Sequence, residues 1–510
     1  MLVDIPEQPA RPTPPTVHGE LKLRSVNRQQ SILAQIWVEE LIAYDHKARA
    51  IWELVERMDL SRFTEPLRTT QGCAGRPAWD PHLLVSLWVY AYSEGINSAR
   101  EIERVMEWEP GMQWLGGLQR VNAHTLSDFR VEHKAALDEL FAKMLALLES
   151  EGLVNLHQVM HDGTKIRTQA GADSFRREKT LRQRLLEAQE LVKQMGEAEG
   201  EAPARDRQQA ARERALRERA ERLELVLKEL TVLQAGKETD KEKSELRVSL
   251  SEPEARIMKH GDQAIAPSYN AQISTEAEHK IIVGAHLSQC SSDAQSLMPG
   301  LEEVVKNLKQ KPEQVVVDGG FTNRPNIMEC AAQGIDLIGS LPKPEERSAA
   351  AMKGQGIDPA FAPQHFRVLE EGKRLQCPGG CTLEHVRRSV KRGDVYQQYQ
   401  ARGADCRACR YQPRCCPKTG EQGRTVSIRV QEHADVAAFR KKMETAEAQA
   451  IYRQRGGVAE FPNAWIKEKL GVRKFRVRGV VKAGSELIWA CLTYNIMQWV
   501  RLSWRQTVRA

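Results

Sequence analysis

Read as runs of apolar and polar positions, the chain divides into pieces with different periods. Leu83-Leu84-Val85-Ser86-Leu87-Trp88-Val89-Tyr90-Ala91-Tyr92 is apolar almost throughout and has the length of a buried helix, and Asp80-Pro81 before it supplies an N-cap and a first-turn proline. Ser98–Arg104 and Thr125–His133 read as further short helices between Gly and Asn turns, which suits a helix-turn-helix or related bundle. Val315-Val316-Val317 is a β-branched run, expected as a strand buried on both faces. It stops at Asp318-Gly319-Gly320, and Asn323-Arg324-Pro325 then opens a helix. His157–His161 approaches Asp162-Gly163-Thr164 in the same way. Ala266–Ser274 and Lys280–His286 read as two strands, residues 294–310 as an amphipathic helix, residues 325–333 as another helix, and Ile335–Leu341 as a short strand. Strands joined first by a hairpin and then alternating with helices place the chain in the mixed α/β class.

Two stretches interrupt that pattern. Residues 174–248 are rich in charge, with Leu181, Leu185 and Leu191 in the first half and a heptad of Leu216, Leu223 and Leu230 in the second. Gly196 to Pro203 separates the halves, so an antiparallel helical hairpin is expected. Residues 345–440 bring seven Cys and His-type ligands into a small space, Cys377, Cys381, His385, Cys406, Cys409, Cys415 and Cys416, with Cys406-Arg-Ala-Cys409 as a knuckle. Four thiolates at such spacing suit a structural zinc ion without an open position for catalysis. The expected organisation is a proline-rich disordered leader over 1–24, an N-terminal helical domain over 25–150, a first core segment over 151–173, and the hairpin over 174–248. The core continues over 249–344, the Cys-rich insertion covers 345–440, and the core closes over 441–510.

Composition narrows the class. A chain of 510 residues implies two or more domains, and 41% hydrophobic content is ample for a sizeable core. The formal charge of +7 permits nucleic-acid binding without requiring it. No uninterrupted apolar run reaches the roughly 18 residues of a membrane span. A cytoplasmic protein with reduced thiols is expected, so its ten Cys read as metal ligands or core residues rather than as a disulfide framework.

The candidate chemistry starts from Asp162 and Asp318, each an Asp-Gly at the end of an apolar approach, where ligand sites gather at a sheet edge. Taken alone, each is equally an ordinary strand-terminating turn. Downstream, Tyr452, Arg455, Glu460 and Lys467 recur through a helical region. Together these motifs resemble a DDE transposase of a bacterial insertion sequence, of the branch whose signature is written Y-x2-R-x3-E-x6-K. Here the Arg-to-Glu gap is one residue longer. Gly75–His133 resembles the N-terminal domain of the same transposases, and Ser292-Asp293 resembles a further family position that supports the fold.

The resemblance implies a ribonuclease-H-like catalytic core in which Asp162, Asp318 and Glu460 hold two Mg²⁺ ions, with Mn²⁺ as a substitute and Glu468 as the fallback for Glu460. It implies cleavage by water and then joining of the freed 3′-hydroxyl to target DNA, with double-stranded terminal repeats and target DNA as partners. A homodimer pairs the two ends, in the bacterial cytoplasm and away from membranes. Arg455 and Lys467 would hold phosphates and Tyr452 would stack on an unpaired base; without the family match all three read equally as one helix with a core Tyr and solvated bases. Arg100 and Arg130 in the N-terminal helices, and Arg473, Lys474 and Arg476 in the basic run near the C-terminus, are further DNA contacts, each with a plain surface or salt-bridge role as its rival. Cys377, Cys406, Cys409 and Cys415 match the family's cysteine positions, with Cys381 and Cys416 as rivals. Other readings are a DNA-binding derivative without catalysis, and a ribonuclease-H-like nuclease that cuts but does not join.

Overall fold

The computed structural model describes residues 35, 37–65, 77–197, 207–341, 352, 354–391, 393–417 and 422–509. The expected leader over 1–24, Gly75-Arg76, and residues 198–206 at the centre of the hairpin breaker lie outside them. The N-terminal part is helical: α1 (Lys47–Glu56), α2 (Pro81–Ser93), α3 (Ala99–Val105), α4 (Ala123–Glu132) and α5 (Lys134–Ser150). As the sequence predicts, the Asp80 carboxylate caps α2 by accepting from the His82 amide at 2.8 Å, with Pro81 in the first turn.

The sheet follows. Strand β1 (Gln158–Arg167) leads to the helical pair α6 (Glu178–Glu197) and α7 (Arg207–Ala235), which close on each other through Leu181, Ala188, Leu223, Val226 and Leu230. Leu191 is left 44% exposed, so the apolar seam covers only part of α6. The chain returns as β2 (Ile265–Glu276) and β3 (Ile282–Ser288), then α8 (Leu297–Leu308), β4 (Gln314–Val317), α9 (Arg324–Ala332) and β5 (Asp336–Gly339). Across the sheet the order is β3-β2-β1-β4-β5, with a short strand Arg256–Lys259 also on β2. The first three strands are antiparallel, and β1, β4 and β5 are parallel.

A second, five-stranded antiparallel sheet fills the Cys-rich segment: β6 (Arg367–Leu369), β7 (Arg374–Gln376), β8 (Thr382–Lys391), β9 (Asp394–Ala401) and β10 (Thr425–Gln431), arranged in the order β10-β9-β8-β7-β6. The chain ends in α10 (Ala434–Met443), α11 (Ala446–Arg455), a π-helical turn over Gly456–Glu460, α12 (Phe461–Glu468) and α13 (Val480–Trp499).

Helix α13 is mostly apolar and has no solvent-facing polar stripe beyond its first turn, and from Ser485 to Trp499 nearly every residue is buried, Glu486 and Asn495 included. It achieves this between the N-terminal helices and the main sheet. Trp489 lies among Trp88 and Phe129, with ring centroids at 6.5 and 6.1 Å, and its indole N–H donates to the Arg130 carbonyl at 3.2 Å. On the other side Asn495 accepts from the Ile282 amide and donates to the Ile282 carbonyl, both at 2.8 Å, satisfying the edge of β3. One hydrophobic core therefore contains residues from α1 to α5, from β1 to β3, and from α13. Among the described residues, no helix is long and apolar enough to cross a membrane.

Candidate functional site

Alternation of side chains along a strand sets the site. In the parallel pair, Met160 lies opposite Val316. Both point to the face covered by α11 and the π-helical turn, where they meet Ile338, Ala448, Val458 and Ala459. Two residues further along each strand, on that same face, come Asp162 and Asp318. Neighbouring strands run about 4.8 Å apart, so one register and one period bring the two carboxylates side by side. The sequence predicts both Asp residues at strand ends, and for Asp162 this is corrected. Strand β1 runs on to Arg167 because β2 is twelve residues long and keeps pairing with it, Asp162 opposite Ile273. On its other side β4 stops at Val317, which leaves Asp162 beside an open edge. Asp318 follows β4 directly, and its Oδ1 accepts from the Gly320 amide at 2.7 Å in the turn that follows.

Asp162 is largely enclosed, its side chain 16% exposed. Burial is the main cause that pushes its carboxyl up to about 6; the neighbouring Asp318 and Asp293 add to the rise, while the Arg455 guanidinium and the Gly163 amide oppose it. Oδ2 accepts from Asn463 Nδ2 at 3.1 Å.

Arg455 stands between two carboxylates, with Nη1 at 3.8 Å from Asp162 and Nη2 at 3.7 Å from Glu460. The extra residue between Arg455 and Glu460 is absorbed by the π-helical turn over Gly456–Glu460. In an α-helix a residue faces its i+4 neighbour, whereas the wider π turn brings i+5 onto the same side. Glu460 consequently keeps its place beside Arg455 despite the longer spacing, with Val458 and Ala459 packed beneath on the sheet. The fallback Glu468 turns instead to Arg473, 2.5 Å away.

A polar layer that the sequence reading missed supports the site from the other face of β1. Asn270, Gln272 and Ser274 alternate along β2 and are all buried. His161 meets Ser274 Oγ at 2.8 Å and Gln272 Oε1 at 3.1 Å, and burial above all holds its imidazole down to about 3, so it is neutral. Gln272 Nε2 and Asn270 Nδ2 both donate to Asp293 Oδ1, at 3.0 and 2.7 Å. A Cβ on Gly163 would lie 2.6 Å from that same oxygen, and one on Gly320 would lie 3.7 Å from Asp293 Oδ2 and 3.0 Å from Asp318 Oδ1. Asp293 is thus a fourth carboxylate at the site, brought close because Gly163 leaves room for it. The alternation of polar Ser268, Asn270, Gln272 and Ser274 with Tyr269, Ala271 and Ile273 was the signal for it.

The remaining predicted residues separate. Lys467 is half-buried near Asp162; burial first, and then Arg473, lower its affinity for a proton. Tyr452 packs against the Met160, Val316 and Ile338 cluster, so its ring is partly a core group. Arg100, Arg473, Lys474 and Arg476 are exposed, and Arg476 Nε donates to Asn97 at 2.8 Å. Arg130 is corrected: it is 5% exposed, stacked 4.7 Å over Trp88, bonded to the Asn97 carbonyl at 2.9 Å and 3.9 Å from buried Glu486. An arginine enclosed in this way is a structural counter-charge and cannot reach a phosphate. Among the described residues, no three or more His, Cys, Asp or Glu side chains are already gathered as ligands around one point; at the carboxylates the guanidinium of Arg455 stands between Asp162 and Glu460.

Comparison with known proteins adds two segments. Residues 376–500 match the family model described as a transposase DDE domain, and residues 37–132 match the one described as a transposase domain (DUF772). These matches support a DDE transposase. The first covers Arg455, Glu460 and Lys467 together with the cysteines, and the second covers α1 to α4. Among solved structures, the cryo-EM structure of the piggyBac transposase synaptic complex with hairpin DNA is similar over 91% of this chain and 76% of that chain, with 8% identity and a TM-score of 0.32. No curated protein matches.

Proposed function

We propose that this chain is the transposase of a bacterial insertion sequence, a DNA strand-cleaving and strand-joining enzyme on a ribonuclease-H-like sheet. The observation that carries the reading is the register of β1 and β4, which sets Asp162 beside Asp318 while Arg455 ties Glu460 to Asp162. The donor set fits a hard divalent cation: all three groups are carboxylates, and burial, with Asp318 and Asp293 adding to it, holds the Asp162 carboxyl up to about 6. Asp162, Asp318 and Glu460 would hold Mg²⁺, or Mn²⁺ in its place. A pair of such ions, when bound, activates the attacking oxygen and stabilises the leaving oxygen of an in-line displacement.

The protein's own groups do the rest. Asn463 and the Gly163 amide orient Asp162, and the Gly320 amide orients Asp318. Arg455 and Lys467 supply positive charge for the phosphate at the cut, and the partly free ring of Tyr452 offers a stacking surface. The Cys-rich segment supports DNA as the partner. Residues 366–431 contain fourteen Lys or Arg against six Asp or Glu, so this short stretch accounts for the positive balance of a chain whose total is only +7. Paired DNA ends call for two protomers.

The test is cleavage of the DNA flanking this gene in Mg²⁺, with wild type beside Asp318→Asn. Cutting at repeat boundaries by wild type alone, followed by joining of the 3′-hydroxyl ends to a second duplex, is expected. Binding without cutting by either protein would favour the non-catalytic derivative, and cutting without joining would favour a simple nuclease. Retained cleavage by Asp318→Asn would refute the site.

A further inference from the structure

The Cys-rich segment poses a stability problem that its protein groups do not solve. Its apolar residues divide into two small clusters, one around Phe366, Leu375, Leu383 and Tyr399 and the other around Ile357, Phe361, Cys415 and Cys416. Units of this size with so little core are ordinarily stapled by metal or disulfide. The excess of fourteen basic over six acidic residues adds self-repulsion.

The structure brings Cys377, Cys381, Cys406, Cys409, Cys415 and Cys416 around one cavity of about 20 Å³. None of them is in a disulfide. That volume accommodates one small ion or a single water. Cys377 and Cys381 stand at the turn between β7 and β8, where the Cys377 amide donates to the Cys381 carbonyl at 2.8 Å. Cys406 and Cys409 come from the helical turn after β9, and Cys415 ends the next helical turn, which returns the chain to the same cavity. The two sulfurs flank one point beside Gly379, where a Cβ would lie 3.4 Å from Cys409 Sγ and 3.6 Å from Cys377 Sγ. Two backbone amides already point at sulfur: Cys381 N–H to Cys377 Sγ at 3.2 Å and Arg424 N–H to Cys406 Sγ at 3.3 Å. A thiol sulfur is a weak acceptor, whereas outer-shell donors of this kind orient and stabilise a metal-bound thiolate.

We infer that this cavity is a structural zinc site, held by the thiolates of Cys377, Cys406, Cys409 and Cys415. Binding converts four S–H groups into four Zn–S bonds and releases four protons to solvent, with no change of oxidation state. Cys381 and Cys416 lie beside these ligands, the Cys381 thiol against Cys377 and the Cys416 thiol against Cys406. Among the described residues, the thiols line the cavity without being gathered around one point. Four thiolates around one zinc carry a net charge of −2, which offsets part of the local positive excess. This inference is independent of the catalytic reading.

The test uses the full chain, purified without chelators, with zinc measured by elemental analysis. About one zinc per chain is expected for wild type, Cys381→Ser and Cys416→Ser, falling below about a fifth of that in Cys406→Ser and Cys409→Ser. Because those two variants can fail to fold, wild type is also loaded with Co²⁺, where intense sulfur-to-cobalt charge transfer and the visible bands of a tetrahedral site are expected. Wild type without zinc or cobalt binding, or fewer than ten titratable thiols in denaturant and chelator, would overturn the site. Loss of zinc in Cys381→Ser or Cys416→Ser with retention in Cys415→Ser would overturn the ligand assignment.

Discussion

Replacing Asp162 by Asn should make the protein more stable, and by an amount that depends on pH. Asp162 is held at about 6 in the folded chain against 3.8 for the free side chain, chiefly by burial and then by Asp318 and Asp293. A carboxyl whose folded value is raised keeps its proton more tightly when folded than when unfolded. Stability from this group is therefore fully present below about pH 4 and is lost as pH rises through 6. The difference of about 2 pH units corresponds to about 3 kcal/mol at ~1.4 kcal/mol per unit. Asn fills the same volume, still meets Asn463, and has no charge to bury. The assay is urea unfolding of wild type and Asp162→Asn from pH 4 to 8 without divalent cations. The variant should gain on wild type through that interval and level off above pH 7, with a midpoint difference of about 1 M for a slope near 3 kcal/mol per M. Added Mg²⁺ should narrow the gap by stabilising wild type alone. A difference that is constant with pH, or that favours wild type at pH 8, would refute the reasoning that burial raises this carboxyl in the folded chain.

Deleting Gly457 should convert the π-helical turn to α-helix, put Glu460 four residues after Arg455, and keep cleavage within about tenfold of wild type, whereas inserting an alanine after Gly457 should reduce it by 100-fold or more; equal losses in a single-turnover assay would remove the π turn from the argument. Arg130→Met should cost about 3–5 kcal/mol of stability by leaving Glu486 buried without its counter-charge, and the salt dependence of DNA binding should not change; a changed slope at unchanged stability would make Arg130 a phosphate contact instead. Lys474→Gln, on an exposed residue, should lower the slope of log affinity against log salt by about 0.9, and an unaltered slope would take it out of the DNA path.

The main features legible in the sequence were those with a short period. Three valines before Asp318 fixed a strand, and a similar approach marked Asp162, so the two carboxylates were recognisable before their strands were known to be neighbours. The register that sets them side by side was not legible, because it depends on pairing across 156 residues. Asp293 was underweighted for a related reason: nothing local to Ser292-Asp293 reveals that a glycine 130 residues upstream, Gly163, opens space for it. Arg130 misled because a basic residue on an amphipathic helix looks solvated until the helix that covers it, α13, is placed. The longer Arg-to-Glu spacing looked like a departure from the signature because spacing rules presume an α-helix.

The core shared by α1 to α5 and α13 also bears on how the protein is made. Trp489 closes around Trp88, Phe129 and the Arg130 carbonyl, 359 residues upstream. At about 5–20 residues per second, the ribosome delivers that partner roughly 20–70 s after the N-terminal helices have emerged. Until then the faces of Trp88 and Phe129 lack their cover, and the helices that would grip DNA remain an incomplete unit. Completion of the chain thus acts as a timing step. The N-terminal helices acquire their full core only when the main sheet is already present beside them, so a growing chain does not offer a finished N-terminal unit ahead of the sheet that carries Asp162 and Asp318.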